Sequence, residues 1–184
     1  MANPPDYFDA VADIVEALGT LGFDPVLVGG MALVTLGSRR VTQDFDFLVS
    51  TPGDRLDALV ALFYDRGLEL VARFGRLGEV VATIDNPRVA AIRLRLDAPS
   101  SAHFHSPATG LRVDLLFDFP MKAADLAKRA RRVTIHARQL KVARPDDLLQ
   151  LKEIAQANRH APGDAEDIEF LRARRDTRRP RGDQ

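Results

Sequence analysis

One stretch of the sequence, residues 26–49, restricts the possible folds more than any other: VLVGGMALVTLGSRRVTQDFDFLV. It begins with a short apolar run that ends at Gly29 and Gly30, continues through a helix-like segment, and ends near the tetrapeptide DFDF at 44–47. Alternating acidic and aromatic residues are typical of a strand that has both acids on one face and both aromatic residues on the other. The sequence therefore predicts a strand, a glycine turn and a helix, followed by a second strand that carries two carboxylates.

The two carboxylates of Asp44 and Asp46 repel each other unless a cation offsets their charge. Enzymes that move phosphoryl groups commonly use a pair of divalent metal ions about 3.5–4 Å apart for this purpose. Gly29 and Gly30 allow backbone N–H groups to approach a phosphate because glycine has no Cβ. The alternatives are the polar face of an edge strand for the acids and a plain tight turn for the glycines. The combination favours a site for metal and phosphate.

A third carboxylate, Asp114, lies in the strand-like segment LRVDLLF at 111–117. Two-metal chemistry requires such an acid on a neighbouring strand. Asp114 is a better candidate than Asp118 because it lies in the middle of the predicted strand. A buried aspartate paired with an arginine such as Arg93 is the alternative interpretation.

Three residues before the acidic strand are candidates for nucleotide binding. Arg39 and Arg40 immediately precede it, and a guanidinium can hold a triphosphate through two parallel hydrogen bonds. Thr42 lies two residues before Asp44, so strand alternation places its hydroxyl on the face of the acids, near the phosphates of a nucleotide. The alternatives are surface arginines and a β-branched residue at the start of a strand.

The order and spacing of these residues resemble a known signature. Gly29-Gly30, a gap of thirteen residues and Asp-Phe-Asp within an apolar run are similar to the motif of the polymerase-beta-like nucleotidyltransferase superfamily. The longer text GGMALVTLGSRRVTQDFDF resembles the AbiEii-like branch, which contains bacterial toxin and abortive-infection nucleotidyltransferases. In that branch a Gly, an Arg, a Thr or Ser and two acids recur in the order seen here at Gly37, Arg40, Thr42, Asp44 and Asp46.

The resemblance extends from residue 26 to about residue 172 and implies an α/β fold, with a nucleotidyltransferase-type mixed β-sheet flanked by helices and C-terminal helices. It implies Mg²⁺-dependent transfer of an NMP from an NTP to an acceptor hydroxyl, with two Mg²⁺ ions on Asp44, Asp46 and Asp114. The third acid would also assist removal of the acceptor's proton. Fold alone does not choose among a tRNA 3′ end, a partner protein and a small molecule as acceptor.

Two further segments resemble the same branch. PDDLLQLK at 145–152 is similar to a motif in which the lysine, here Lys152, reaches into the nucleotide site. A lysine that extends from an apolar helix stripe towards solvent is the alternative. Asp164 and Asp167 resemble a downstream Asp-x-x-Asp, although helix capping alone would explain Asp164.

Charge is distributed unevenly along a chain whose net charge is zero. Residues 1–127 carry 11 Lys and Arg against 17 Asp and Glu, whereas residues 128–184 carry 15 against 9. A basic C-terminal third indicates a polyanion such as RNA, or an acidic partner such as an antitoxin paired with a toxin. A solvated basic tail is the alternative. A non-catalytic protein that keeps the fold for binding or antitoxin pairing is the alternative function.

Composition excludes several classes of function. The absence of cysteine excludes disulfides, zinc–thiolate sites and thiol catalysis. No apolar run has the length of a membrane span, so we expect a soluble cytoplasmic protein without membrane contact. With 184 residues, 46% of them hydrophobic, the chain predicts one domain with a small helical part appended. The resemblance implies a nucleotidyltransferase core at 1–143, with a helical part packed on it at 144–174 and a basic, disordered tail at 175–184.

Periodicity and turn residues predict the remaining elements. We expect helices at 6–21, 31–36, 56–64, 120–130, 145–158 and 164–174. We expect extended segments at 26–28, 44–49, 68–74, 80–84, 89–96 and 111–117, and a hairpin at 133–142. Residues 99–110 are predicted as a loop, and His103 and His105 within it as incidental, although their alternation is also found in metal ligands on a strand.

Overall fold

The structure is a computed structural model that describes residues 7–158 and 163–176. In this part of the chain the helices are α1 (Tyr7–Thr20), α2 (Gly29–Thr35), α3 (Leu56–Tyr64), α4 (Pro87–Asp97), α5 (Ala123–Arg129), α6 (Pro145–Asn158) and α7 (Asp164–Asp176), with a 3-10 turn at Gly53–Arg55. The strands are β1 (Val26–Val28), β2 (Asp44–Val49), β3 (Glu69–Phe74), β4 (Val80–Ile84), β5 (Ser101–His105), β6 (Arg112–Phe117), β7 (Arg131–Ile135) and β8 (Arg138–Val142).

The eight strands form one mixed sheet in the order β4-β3-β5-β6-β2-β1-β8-β7. The pairs β2–β6 and β1–β8 are parallel, and the other pairs are antiparallel. The predicted α/β fold with a mixed sheet and C-terminal helices is therefore confirmed. Because β2 lies between β1 and β6, the acidic strand is central in the sheet.

The core fixes the direction of the acids on β2. Phe45 and Phe47 are 1% and 0% exposed, and the ring of Phe45 packs edge-on against Phe8 at 5.4 Å between centroids. Each such burial contributes about 1.5–3 kcal/mol. A slip of one residue would bring both aromatic rings to the other face of the sheet, so their burial sets the register of the whole strand. Asp44 and Asp46 consequently lie together on the opposite face, as predicted.

The prediction of a strand at 89–96 is wrong, because this segment belongs to helix α4. The alternation of arginine with apolar residues suggested a period of two. The buried residues are Ala90, Ala91 and Leu94, however, and their spacing is that of a helix face. Arg93 therefore pairs with Asp97 one turn further along the helix, and not with Asp114.

Asn86 and Pro87, residue types that also suit a turn between two strands, start helix α4. The side-chain oxygen of Asn86 accepts hydrogen bonds from the backbone N–H groups of Arg88 at 2.9 Å and Val89 at 3.3 Å. Pro87 occupies the first turn, where a backbone N–H group would have no partner within the helix, so proline loses no hydrogen bond there. An Asn-Pro pair that looks like a turn is here the cap of a helix.

The loop predicted at 99–110 contains strand β5, which lies between β3 and β6. Ala102 and Phe104 face the core, and the ring of Phe104 stacks on Phe63 at 4.0 Å. Ser101 and His103 lie on the other face. The alternation was hidden because the outward-facing residues of this strand are small or polar.

Helix α7 packs against α6 near the end of the chain. Ile168 and Leu171 are buried, and Arg172 Nη2 contacts Glu153 Oε1 at 2.8 Å. The predicted tail at 175–184 lies outside the described residues except for its first two positions, which end α7. None of the helices in the described part of the chain has the length and apolar character that a bilayer crossing requires.

Candidate active site

The three predicted carboxylates lie on two adjacent parallel strands. In the register of β2 and β6, Asp46 is opposite Asp114, and Asp44 is opposite Arg112. Adjacent strands are about 4.8 Å apart, and opposed residues on one face lie side by side. The sheet therefore holds all three acids on one face, without a contribution from loops.

Arg112 bridges two of these acids. Its Nη2 atom lies 3.0 Å from Asp44 Oδ2 and 3.0 Å from Asp114 Oδ2. Its Nε atom donates to both oxygens of Asp114 at 3.2 Å. In the described part of the chain, Asp46 forms no hydrogen bond or ion pair with a side chain. One guanidinium thus neutralises part of the charge of three carboxylates.

The surroundings of the acids raise the pKa of two of them. Burial, together with the neighbouring charges of Asp114 and Asp44, raises the pKa of Asp46 to about 6. Burial also raises the pKa of Asp44, although Arg112 opposes this effect. Ionisation is unfavourable for a carboxyl group that is buried beside other carboxylates. The binding of an additional positive charge would offset this cost.

His103, which was predicted to be incidental, contacts the third acid. Its Nδ1 atom lies 3.0 Å from Asp114 Oδ1. The two atoms are close enough for a hydrogen bond but are not aligned for one. Nδ1 therefore has no hydrogen-bond partner in the described part of the chain. The ring is packed edge-on against Phe74 at 5.1 Å.

The two glycines make room for side chains of the site itself. A Cβ atom on Gly29, whose φ is +66°, would lie 2.0 Å from Asp46 Oδ2. A Cβ atom on Gly30 would lie 3.0 Å from Arg40 Nε and 3.3 Å from Thr42 Oγ1. Gly29 thus gives space to a carboxylate, and Gly30 gives space to a guanidinium and a hydroxyl. That the two glycines also admit a phosphate to their backbone N–H groups stays a prediction.

The two glycines are expected to respond very differently to alanine. Gly29→Ala combines a φ that costs an L-residue about 1–2 kcal/mol with a collision that displaces the Asp46 carboxylate. Gly30→Ala requires only small shifts of flexible side chains. We expect a lower melting temperature and weaker Mn²⁺ binding for Gly29→Ala, measured by thermal unfolding and calorimetry, and near-parental values for Gly30→Ala. Equal behaviour of the two variants would contradict this assignment.

A second group of charges lies beside the acids. Lys152 Nζ on α6 contacts Asp164 Oδ1 at 3.0 Å and Asp167 Oδ2 at 2.7 Å, and Arg40 Nη1 also pairs with Asp167. The side chains of Lys152, Asp164 and Asp167 are 12%, 4% and 6% exposed. The acids at the start of α7 thus hold both cations in fixed positions, and Asp164 has a role beyond helix capping.

One cavity of about 830 Å³ contains nearly all of these groups. The strand face carrying the acids and residues of α6 contribute to its lining. The predicted site residues that line it are Gly29, Gly30, Arg40, Thr42, Asp44, Asp46, Asp114 and Lys152. Arg39 is exposed and is not part of the lining. Arg112, His103 and Phe74 line the cavity although they were not predicted as site residues.

A sequence signal existed for one of the missed residues. Arg112 precedes Asp114 by two positions on the same strand, so strand alternation alone places both on one face. His103 could not be assigned because its strand was predicted as a loop. Phe74 required a further structural detail: the register of β3 against β4 shifts between Val71 and Phe74, and such a bulge redirects side chains.

Comparisons with known proteins concern the fold. The sequence matches no protein-family model and no curated protein. Solved structures do match. ANT(2″)-Ia in complex with adenylyl-2″-tobramycin has a TM-score of 0.57 and 12% identity, with 92% of this chain and 90% of that chain covered. The lincomycin-bound lincosamide antibiotic adenylyltransferase LnuA has a TM-score of 0.55 and 11% identity, with coverages of 90% and 96%.

A nucleotidyltransferase-like protein from Paracoccidioides brasiliensis is also similar. Its TM-score is 0.50 and its identity 19%, with 89% of this chain and 73% of that chain covered. At such identities the likeness shows the fold alone. The chain therefore has the fold of the nucleotidyltransferases, with three carboxylates on two central strands of its sheet.

Proposed function

We propose that this protein is a metal-dependent nucleotidyltransferase, which moves an NMP group from an NTP to an acceptor hydroxyl. One observation carries the proposal: three carboxylates on β2 and β6 face the same cavity as Arg40 and Lys152. Carboxylates suit the metal ions of phosphoryl chemistry, and cations in the same cavity suit a triphosphate. The fold supports the same reaction class, since LnuA is an adenylyltransferase of similar structure.

The donor set fits a divalent cation such as Mg²⁺. Carboxylate oxygens are the hard ligands that this ion prefers, and the guanidinium of Arg112 serves as a stand-in cation on two of them. In the present arrangement of the described residues, no three acidic or histidine side chains lie close enough together to hold a metal ion. Asp44, Asp46 and Asp114 would hold two Mg²⁺ ions, which would stabilise charge on the transferred phosphate and the leaving pyrophosphate.

The positions of the cations support one orientation of a bound triphosphate. Arg40 and Lys152 are held on the side of β2 and α6, so the β- and γ-phosphates would bind there, with Thr42 beside them. In-line displacement then requires the acceptor to approach from the opposite side, over β6 and β5. The acceptor oxygen would form a bond to the α-phosphorus, the bond to pyrophosphate would break, and Asp114 would accept the proton of the hydroxyl.

RNA, in particular a tRNA 3′ end, is the acceptor that we propose, with a partner protein as the second candidate. The basic balance of residues 128–184 supports a polyanion. Within the described residues, Lys128, Arg131 and Arg132 are exposed on α5 and β7. We further assign the chain to the AbiEii-like branch and to a toxin that pairs with an antitoxin, on the strength of the sequence motif at 29–47.

Incubation with each labelled NTP, Mg²⁺ and either total RNA or lysate protein tests the proposal. We expect label in RNA, lost on chelation of the metal, and weaker transfer at higher salt because phosphate contacts are screened. The double variant Asp44→Asn with Asp46→Asn is the matched control and should label nothing. Label in a protein would replace the RNA acceptor by a protein acceptor, and no label in either fraction would contradict transfer to a macromolecule.

A further inference from the structure

Arg112 lies where its guanidinium competes with any cation that binds the carboxylates. Its Nη2 atom is equidistant, at 3.0 Å, from one oxygen of Asp44 and one oxygen of Asp114. Charge-assisted contacts of this kind are among the strong hydrogen bonds of proteins. A divalent cation bound by Asp44 and Asp114 would approach the same oxygens, where its positive charge and that of the guanidinium repel each other.

We propose that Arg112 is an exchangeable counter-ion: it holds Asp44 and Asp114 until a divalent cation binds, and it must leave Asp44 for that binding to occur. The identity of the incoming ion rests on the proposed function. The exchange itself rests on the contacts of Arg112. In this role Arg112 is a positioning residue for the carboxylates and sets how tightly the free protein binds metal.

The balance of charge allows such an exchange. Three carboxylates face a single guanidinium, and Asp46 has no ion-pair partner among the described side chains, so negative charge remains after Arg112 has bound. The side chains of Arg112 and Asp44 are 22% and 38% exposed, so the contact between them is accessible from the cavity. Arg112 thus orders the acids, but its single positive charge does not neutralise them.

The structure also offers the displaced guanidinium a second place to bind. Arg112 Nη1 lies 3.5 Å from the carbonyl oxygen of Gly78, and Cζ lies 5.3 Å from the ring centre of Phe74. Both residues belong to the β3–β4 hairpin, and the bulge in β3 accompanies the placement of Phe74 on the cavity side. A cation over an aromatic face is favourable. The guanidinium can therefore release Asp44 and remain against the hairpin.

Calorimetric titration of the full chain with Mn²⁺, without nucleotide, tests the exchange. A nearby guanidinium lowers the pKa of a carboxylate by about 1–3 units, because it opposes the binding of a proton. It opposes the binding of a metal cation in the same way. We therefore expect Arg112→Gln to bind Mn²⁺ about tenfold tighter or more, and Arg112→Lys to lie between the two. Arg73→Gln, an exposed arginine of the same hairpin, is the matched control and should bind Mn²⁺ as the parent does.

Weaker or unchanged Mn²⁺ binding by Arg112→Gln would overturn the proposal, because a purely structural arginine would leave affinity unchanged or reduce it. The absence of Mn²⁺ binding in both proteins would overturn it as well. If Arg112→Gln does not fold, Phe74→Leu replaces it: loss of the second binding place should weaken Mn²⁺ binding, and unchanged or tighter binding would count against the exchange. NMP transfer is measured separately. If the parent shows no transfer but Arg112→Gln binds Mn²⁺ more tightly than the parent, the proposed function is refuted and the exchange is not.

Discussion

Asp46→Asn is expected to reduce NMP transfer about 10³-fold and, at the same time, to stabilise the metal-free protein at neutral pH. The pKa of Asp46 is raised from 3.8 to about 6 by burial and by the charges of Asp114 and Asp44. The stability that its protonated form provides is fully present below pH 3.8 and is lost as the pH rises through about 6. At pH 8 the ionised group therefore costs on the order of 3 kcal/mol, which asparagine avoids.

Urea unfolding of the metal-free proteins at pH 5 and pH 8 measures this effect, and the gain from Asp46→Asn should be larger at pH 8. Asp44→Asn is the matched control, because it removes an acid of the same cluster but also an ion pair with Arg112, so its gain should be smaller. Transfer should fall about 10³-fold in both variants, comparable to the loss of one group that stabilises transition-state charge. A less stable Asp46→Asn protein at pH 8 would contradict the electrostatic account.

Lys152→Met should have the largest effect on stability. Lys152 lies between two carboxylates that are 4% and 6% exposed, and removal of one partner from a buried ion pair costs about 3–5 kcal/mol. Of its two partners, Asp167 keeps its pair with Arg40, whereas Asp164 Oδ2 already has no hydrogen-bond partner in the described part of the chain. Nucleotide affinity should fall as well, because Lys152 is a cation of the proposed triphosphate site.

The double variant Lys152→Met with Asp164→Asn separates the two roles. It removes the orphaned charge, so urea unfolding should show that part of the stability returns. Nucleotide titration should still show weak binding, since the cation is absent. Lys128→Met, whose side chain is 79% exposed on α5, controls for the loss of a lysine. If Lys152→Met binds NTP as tightly as the parent, Lys152 is a structural residue and the triphosphate site is misplaced.

The parts of the fold that the sequence predicted are those in which local pattern and packing agree. The alternation at 44–47 has its aromatic residues in the core, so period two in the sequence became strand β2. The glycine pair and the helix after it followed from the same stretch. At 89–96 the arginines are on exposed positions of a helix, and period two arose by chance on a surface where packing does not constrain it.

The missing parts of the site depend on contacts between residues far apart in sequence. Arg40 and Asp167 are 127 positions apart, and no local pattern pairs them. Lys152 was predicted from a motif, but its buried ion pairs with α7 were not. Arg112 could have been found by alternation, whereas Phe74 depends on a bulge whose position is set by the pairing of β3 with β4.

The ion pairs of Arg40 and Lys152 with α7 have a consequence for synthesis of the protein. The ribosome makes Asp44, Asp46 and Asp114 well before it reaches Asp167. Until α7 has emerged, neither cation has the partner that fixes it, and the nascent chain has carboxylates without an ordered triphosphate site. A chain that lacks α7 therefore lacks the ordered cations on which the proposed activity depends.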